Sequence, residues 1–130
     1  MGALADLGLS TADGPIMLVS APDSVLAEAS RMKPRPAFAS TILTAEPTPR
    51  ILWWPERAHL DPAVLSRLAW MTSVARGEAW LILDPAEPES PASAEIQPLL
   101  GPASLALVEE RPIGRGEIAL RVRPAAAGPR

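Results

Sequence analysis

"RILWWPERAHLDPAVLSRLAWMTSVARGEAWLILDP", residues 50–85, is the stretch whose reading decides the fold. Arg50-Ile51-Leu52-Trp53-Trp54 predicts a strand, ended by Pro55. Asp61-Pro62 then opens a helix: Asp is a favourable N-cap, and proline fits the first helical position because its missing N–H has no intrahelical partner there. Val64, Leu65, Leu68, Met71, Thr72 and Ala75 follow helical spacing, and Gly77 is placed as the C-terminal stop. Ala79 to Leu83 is a second continuous apolar run, ended by Asp84-Pro85. Strand, helix and strand in this order predict a right-handed crossover between parallel strands buried on both faces.

The flanking segments extend this unit on both sides. Ile16 to Ser20 predicts an earlier buried strand, and Asp23 is expected to cap a helix running to about Arg31, with Val25, Leu26, Ala29 and Met32 on one face. Lys33-Pro34-Arg35-Pro36 stops that helix, and Ala37 to Leu43 predicts another strand. After a loop over 85–91 comes a short helix around Ser93 to Leu100, with Pro98 inside it. Leu105 to Val108 and Ile118 to Val122 then flank Gly114-Arg115-Gly116 as an antiparallel hairpin. The sixteen prolines fall largely between these segments and punctuate them. The expected object is a small three-layer α/β sandwich, mostly parallel with a C-terminal antiparallel hairpin. A single domain is expected over 15–124, with 1–14 and 125–130 as flexible flanks.

Bulk composition narrows the function classes. Hydrophobic residues make up 48% of the 130 and charged ones 21%, which suits a globular chain. There is no cysteine, so disulfides, zinc–thiolate sites and thiol nucleophiles are excluded, and a cytoplasmic location is expected. A formal net charge of −3 gives no global basic footprint for nucleic acid. The longest apolar runs are four or five residues, far below the roughly 20 that span a bilayer, so no membrane partner is expected. The first ten residues carry Asp6 and no Lys or Arg, unlike a secretory leader.

Few residues suggest chemistry. His59 is the sole histidine, in the loop before the strong helix, and is a candidate base or an exposed loop residue. Glu56 and Asp84, each just beyond a strand, could face each other as paired carboxylates, or be a solvated loop charge and a turn initiator. Ser20 and Ser24 flank the Pro-Asp turn after the first strand, but the Gly-x-Ser-x-Gly of a nucleophile elbow is absent. No catalytic set and no metal site are expected. Among the four tryptophans, Trp53 and Trp54 must point to opposite sheet faces. Trp54 and Trp70 are candidate partner anchors. Arg111, Arg115, Arg121 and Arg123 form a local basic cluster, read as edge protection, a partner contact or a nucleic-acid contact.

"MLVSAPDS" (17–24), the 50–85 unit and "SLALVEERPIGRGEIALRVRP" (104–124) together resemble the class I methyltransferase-like fold. More narrowly, they resemble a family of small, uncharacterised bacterial proteins with a reduced version of it. The wider resemblance implies a glycine-rich turn after the first strand, where backbone approaches S-adenosylmethionine, and an acid after the second strand for the ribose. Here the turn is Ser20-Ala21-Pro22-Asp23, and Glu46 is the acid in the nearest place. Side chains and a proline ring in that turn predict no cofactor. The leading expectation is therefore a non-catalytic, methyltransferase-like module that binds a protein partner or itself. The alternative is a small-molecule binder or enzyme using the carboxyl edge near Ser20, Asp23, Glu56, His59 and Asp84, with a divergent S-adenosylmethionine or nucleotide site. A third reading is nucleic-acid contact through the arginine hairpin.

Overall fold

The computed structural model describes residues 3–125, the side chain of Arg115 excepted. Four helices and six strands follow one another as α1 (Ala3–Asp6), β1 (Met17–Val19), α2 (Asp23–Ala29), β2 (Ala37–Ala39), β3 (Arg50–Trp53), α3 (Pro62–Ala75), β4 (Glu78–Leu83), α4 (Ser93–Leu100), β5 (Leu105–Ile113) and β6 (Glu117–Pro124). They form one sheet in the order β2-β1-β3-β4-β6-β5. The first four strands in that order pair in parallel, and β6 runs antiparallel to both β4 and β5.

Alternation along the strands builds two cores. Ile51, Trp53, Leu81 and Leu83 face one side, where Leu65, Leu68 and Met71 of α3 and Ile96 and Leu100 of α4 meet them. Leu52, Trp54, Trp80 and Ile82 face the other, against Val25 and Ala29 of α2 and Ala3 and Leu4 of α1. The three-layer α/β sandwich is thus the observed architecture. Trp53 and Trp54 do point to opposite faces, and Trp54 is only 9% exposed, so it is core and not an accessible anchor.

The start of the folded unit differs from the expected residue 15. Leu4 is 1% exposed, and Leu7 is buried beside it. The Ala5 N–H donates to Glu28 Oε2 at 3.1 Å, and Asp6 Oδ2 accepts from the Gly114 N–H at 3.0 Å. Farther along, the Arg50 guanidinium donates to the carbonyls of Ser10 and Gly14. A four-residue helix is too short for a legible 3.6-residue period, yet it covers sheet surface that α2 leaves open. Leu4→Ala is accordingly expected to destabilise the protein by about 2–4 kcal/mol, read as a lower urea midpoint at unchanged slope. Of the expected tail, Ala125 donates to the Ser104 carbonyl at 2.8 Å, and 126–130 lie outside the described residues.

Other boundaries move for local reasons. Pro22, not Asp23, is the N-cap of α2 and makes no side-chain cap bond; Asp23 is the first helical residue, and the helix ends at Ala29. The second strand is only Ala37–Ala39, because Ile42–Thr44 turns into a 3-10 segment capped by Thr41. Asp61 caps α3 as expected, accepting from the Val64 N–H at 3.0 Å. Arg76, not Gly77, takes the left-handed position after that helix, at φ 55°. In the hairpin turn Gly116 supplies the positive φ, 81°. No described helix is long and apolar enough to cross a membrane.

Candidate functional site at the carboxyl edge

From β1 the chain leaves in one direction to reach β2, then crosses back to place β3 on the other side of β1. Loops departing in opposite directions from neighbouring parallel strands open a crevice at their carboxyl ends, the usual ligand position in such sheets. The first residue beyond β1, Ser20, sits at φ 57°. A non-glycine residue there carries strain of about 1–2 kcal/mol. Two bonds hold it: its N–H donates to the Ala39 carbonyl at 3.0 Å, and its Oγ donates to the Ser40 carbonyl at 2.8 Å. Across the gap, the Trp54 N–H donates to the Val19 carbonyl at 3.1 Å.

The resulting crevice has a volume of about 170 Å³. Ser20, Thr41, Glu56, His59 and Asp61 give it a polar rim, and Ile42, Leu43, Trp53 and Val64 an apolar wall. Glu56 Oε2 lies 3.9 Å from His59 Nδ1, both side chains more than half exposed.

Three of the five expected edge residues therefore come together: Ser20, Glu56 and His59. Asp23 and Asp84 do not join them. Asp23 is exposed on the first turn of α2. Asp84 makes a turn, its N–H donating to Ser90 Oγ at 2.9 Å and its Oδ1 accepting from the Ala86 N–H at 3.0 Å. It borders a separate open cleft with Pro22, Ser24, Glu28 and Arg31. The proline of the first turn thus lines a different cleft from Ser20. Glu46 is exposed and outside the crevice, its carbonyl accepting from Thr48 Oγ. Thr41 and Asp61 are rim residues that sequence reasoning does not single out for binding. Asp61 is legible only as a cap, and Thr41 lies in what reads as strand.

Three of the four hairpin arginines are paired within the chain. Arg121 Nε donates to Glu78 at 2.8 Å and its Nη1 to Glu109 at 3.4 Å; Arg123 Nε donates to Glu78 at 3.0 Å, and Arg111 pairs with Glu109 at 2.8 Å. Burial pushes the Glu78 carboxyl up, but the hydrogen bonds and charges of Arg121 and Arg123 together outweigh it and hold the group below its ordinary value. Arg111 and Arg121 also lie 5.7 and 5.4 Å from the Trp80 ring centroid. Trp70 is 51% exposed, with the Arg67 guanidinium 5.3 Å from its ring. The Arg115 side chain lies outside the described residues. Among the described residues, no group of three or more His, Asp or Glu side chains is arranged to hold a metal ion.

The rim is fastened from behind. The Arg57 N–H donates to the Glu89 carbonyl at 2.7 Å, and its guanidinium grips both Glu95 oxygens at 2.8 and 2.9 Å. The Arg57 hydrogen bonds first, and the Ala92 N–H next, draw the Glu95 carboxyl down from 4.5 to about 2. A carboxyl with a lowered folded-state pKa stabilises the fold above its unfolded pKa and loses that contribution as protons bind. Stability should therefore fall between about pH 4.5 and pH 2. In Glu95→Gln this acid-side fall is expected to be shallower, with the gap to wild type narrowing as pH drops. Urea midpoints of both proteins across that range check it.

No protein-family model and no curated protein matches the sequence. Solved structures do match. An O-methyltransferase (NcsB1) from neocarzinostatin biosynthesis, in complex with S-adenosylmethionine and 2-hydroxy-5-methyl naphthoic acid, overlays with a TM-score of 0.63 at 15% identity, covering 88% of this chain and 50% of that one. The fold is methyltransferase-like. The N,N-8-amino-8-demethyl-D-riboflavin dimethyltransferase RosA from Streptomyces davawensis overlays at 0.56 and 14% identity, covering 84% and 42%. Magnesium protoporphyrin IX methyltransferase (ChlM) from Synechocystis PCC 6803, with bound S-adenosylmethionine, overlays at 0.54 and 12%, covering 87% and 74%. The chain spans half or less of the length of the first two. These overlays overturn the expectation of a non-catalytic binding module that is not an enzyme, since the proteins sharing the fold are methyltransferases. Missing glycines do not by themselves close the turn. In the structure a serine adopts the left-handed backbone after β1, and the proline lies on another cleft.

Proposed function

We propose that the protein binds S-adenosylmethionine in the crevice between β1 and β3 and serves methyl transfer to a small molecule. The observation that carries this reading is the open crevice at the β1/β3 switch point of a methyltransferase-like sheet, with Ser20 left-handed at its base. The donor set fits an adenosyl group. Ile42, Leu43, Trp53 and Val64 offer an apolar wall for adenine, while Glu56 and Asp61 offer carboxylates for ribose hydroxyls and for a nearby positive charge. At about 170 Å³ the crevice is smaller than the roughly 300–1,000 Å³ of sites that enclose a whole ligand. It therefore suits the adenosyl half, leaving the amino-acid tail toward solvent.

When bound, the donor supplies an electrophilic methyl group on a sulfonium. The chain's own part is orientation and proton handling. His59, with Glu56 3.9 Å from Nδ1, is the rim group placed to take a proton from an acceptor hydroxyl.

Calorimetric titration with S-adenosylhomocysteine tests the reading. Binding at about 10 μM or tighter is expected, near −7 kcal/mol, and ligand at about 100-fold excess over Kd should add about 2.7 kcal/mol of stability. Glu56→Ala should weaken it. Absence of heat and of any melting shift with either S-adenosyl compound at millimolar concentration contradicts it.

A further inference from the structure

Across the Arg57–His59 turn from the crevice lies a second cavity on the same sheet edge, of about 370 Å³. Its floor is Leu83 at the end of β4 and Ile118 on the neighbouring β6, which pair in register. Its sides are Pro85, Pro88, Pro91 and Ala92, from the loop after β4. Prolines fix the backbone of this wall in advance, so little ordering is required when something docks against it.

The polar groups on the wall are already engaged. Arg57 directs Nε and Nη2 to Glu95, Nη1 to the Pro88 carbonyl and Nη2 to the Ser90 carbonyl, which uses four of the five N–H groups of a guanidinium. Ser90 Oγ accepts from the Asp84 N–H at 2.9 Å, and Ser93 Oγ donates to Glu110 Oε1 at 2.7 Å. Glu87 adds an exposed carboxylate at the mouth. The lining cation therefore has no fork to offer a carboxylate or phosphate, and Glu87 repels one.

We propose that this cavity binds a neutral, apolar, ring-bearing small molecule of about two fused rings and discriminates against anionic analogues. This ligand chemistry follows from the cavity's own lining and does not rest on the reading given under Proposed function. Arg57 lines this cavity, whereas its neighbours Glu56, Ala58 and His59 line the crevice.

The probes are 2-naphthol and 2-naphthoate at pH 7, titrated into the full ¹⁵N-labelled chain with and without S-adenosylhomocysteine. The expected result is saturable naphthol binding that moves the amides of Leu83, Ser90 and Ile118, at least about tenfold tighter than naphthoate. In Glu95→Gln the guanidinium loses its carboxylate partner, and the naphthol preference should shrink by at least about threefold. Naphthoate binding equal to or tighter than naphthol in wild type overturns the proposal, without reliance on any variant. So do shifts confined to Ser20, Thr41 and His59, no saturable naphthol binding, or an unchanged preference in a folded Glu95→Gln protein. Failure of S-adenosylhomocysteine with naphthol binding intact contradicts the donor reading alone; the converse contradicts this cavity alone.

Discussion

Gly77→Ala is expected to cost more than about 4 kcal/mol. A Cβ at this position would lie 1.9 Å from the Pro49 carbonyl oxygen and 2.5 Å from the Pro49 Cα. Both partners are backbone, so no flexible side-chain end can move aside. The Gly77 N–H also donates to the Thr72 carbonyl at 2.9 Å, while the next residue, Glu78, donates to the Pro49 carbonyl at 2.9 Å and starts the β3–β4 register opposite Arg50. Relieving the clash would shift the strand that carries both cores. With total stabilities of about 5–15 kcal/mol for such domains, the variant should show a much reduced urea midpoint or no cooperative transition. Arg76→Gly is the control. It replaces a left-handed residue at φ 55°, where relief of Cβ strain offsets the added freedom of the unfolded chain, so a change within about 1 kcal/mol is expected. Equal tolerance of both substitutions would contradict close approach as the reason for glycine.

Trp80→Ala is expected to destabilise the fold by about 3–5 kcal/mol. Trp80 is 4% exposed in the middle of β4, with Leu52 beside it on β3 and Arg121 opposite it on β6. Its removal leaves a cavity among Leu52, Ile82 and the α1–α2 layer and strips Arg111 and Arg121 of the ring they lie against. Trp80→Phe retains part of the packing and should fall between the two. Chemical denaturation followed by far-UV circular dichroism checks the order wild type, Phe, Ala. A loss under about 1 kcal/mol for the alanine variant would mean that the site collapses or is not packed as described.

Much of the architecture is legible because it is written locally. The apolar runs at 51–54 and 79–83, Asp61-Pro62 between them and the glycines of the hairpin each state a backbone preference in their own residue type. What the sequence conceals is set by distant partners. Ser20 takes a left-handed conformation because the Ala39 and Ser40 carbonyls hold it there, and nothing in a serine announces that. Gly77 reads as a helix stop but is required by Pro49, 28 positions earlier. Arg111, Arg121 and Arg123 read as a free basic cluster, whereas Glu78 from another strand and Glu109 neutralise them.

The site shows the same division. Ser20, Glu56 and His59 converge because loops leaving β1 and β3 diverge at one edge, which element order already implies. Asp23 and Asp84 fall away because a helix start and an Asx turn point them elsewhere, which element order does not specify.

The account rests on adenosyl binding at the β1/β3 edge, and amide shift mapping with S-adenosylhomocysteine tests it most directly. It predicts saturable shifts at Ser20, Thr41 and 56–59, with Ser24, Glu28 and Asp84 unmoved. Shifts centred on those last three residues, or none at millimolar ligand, would contradict it.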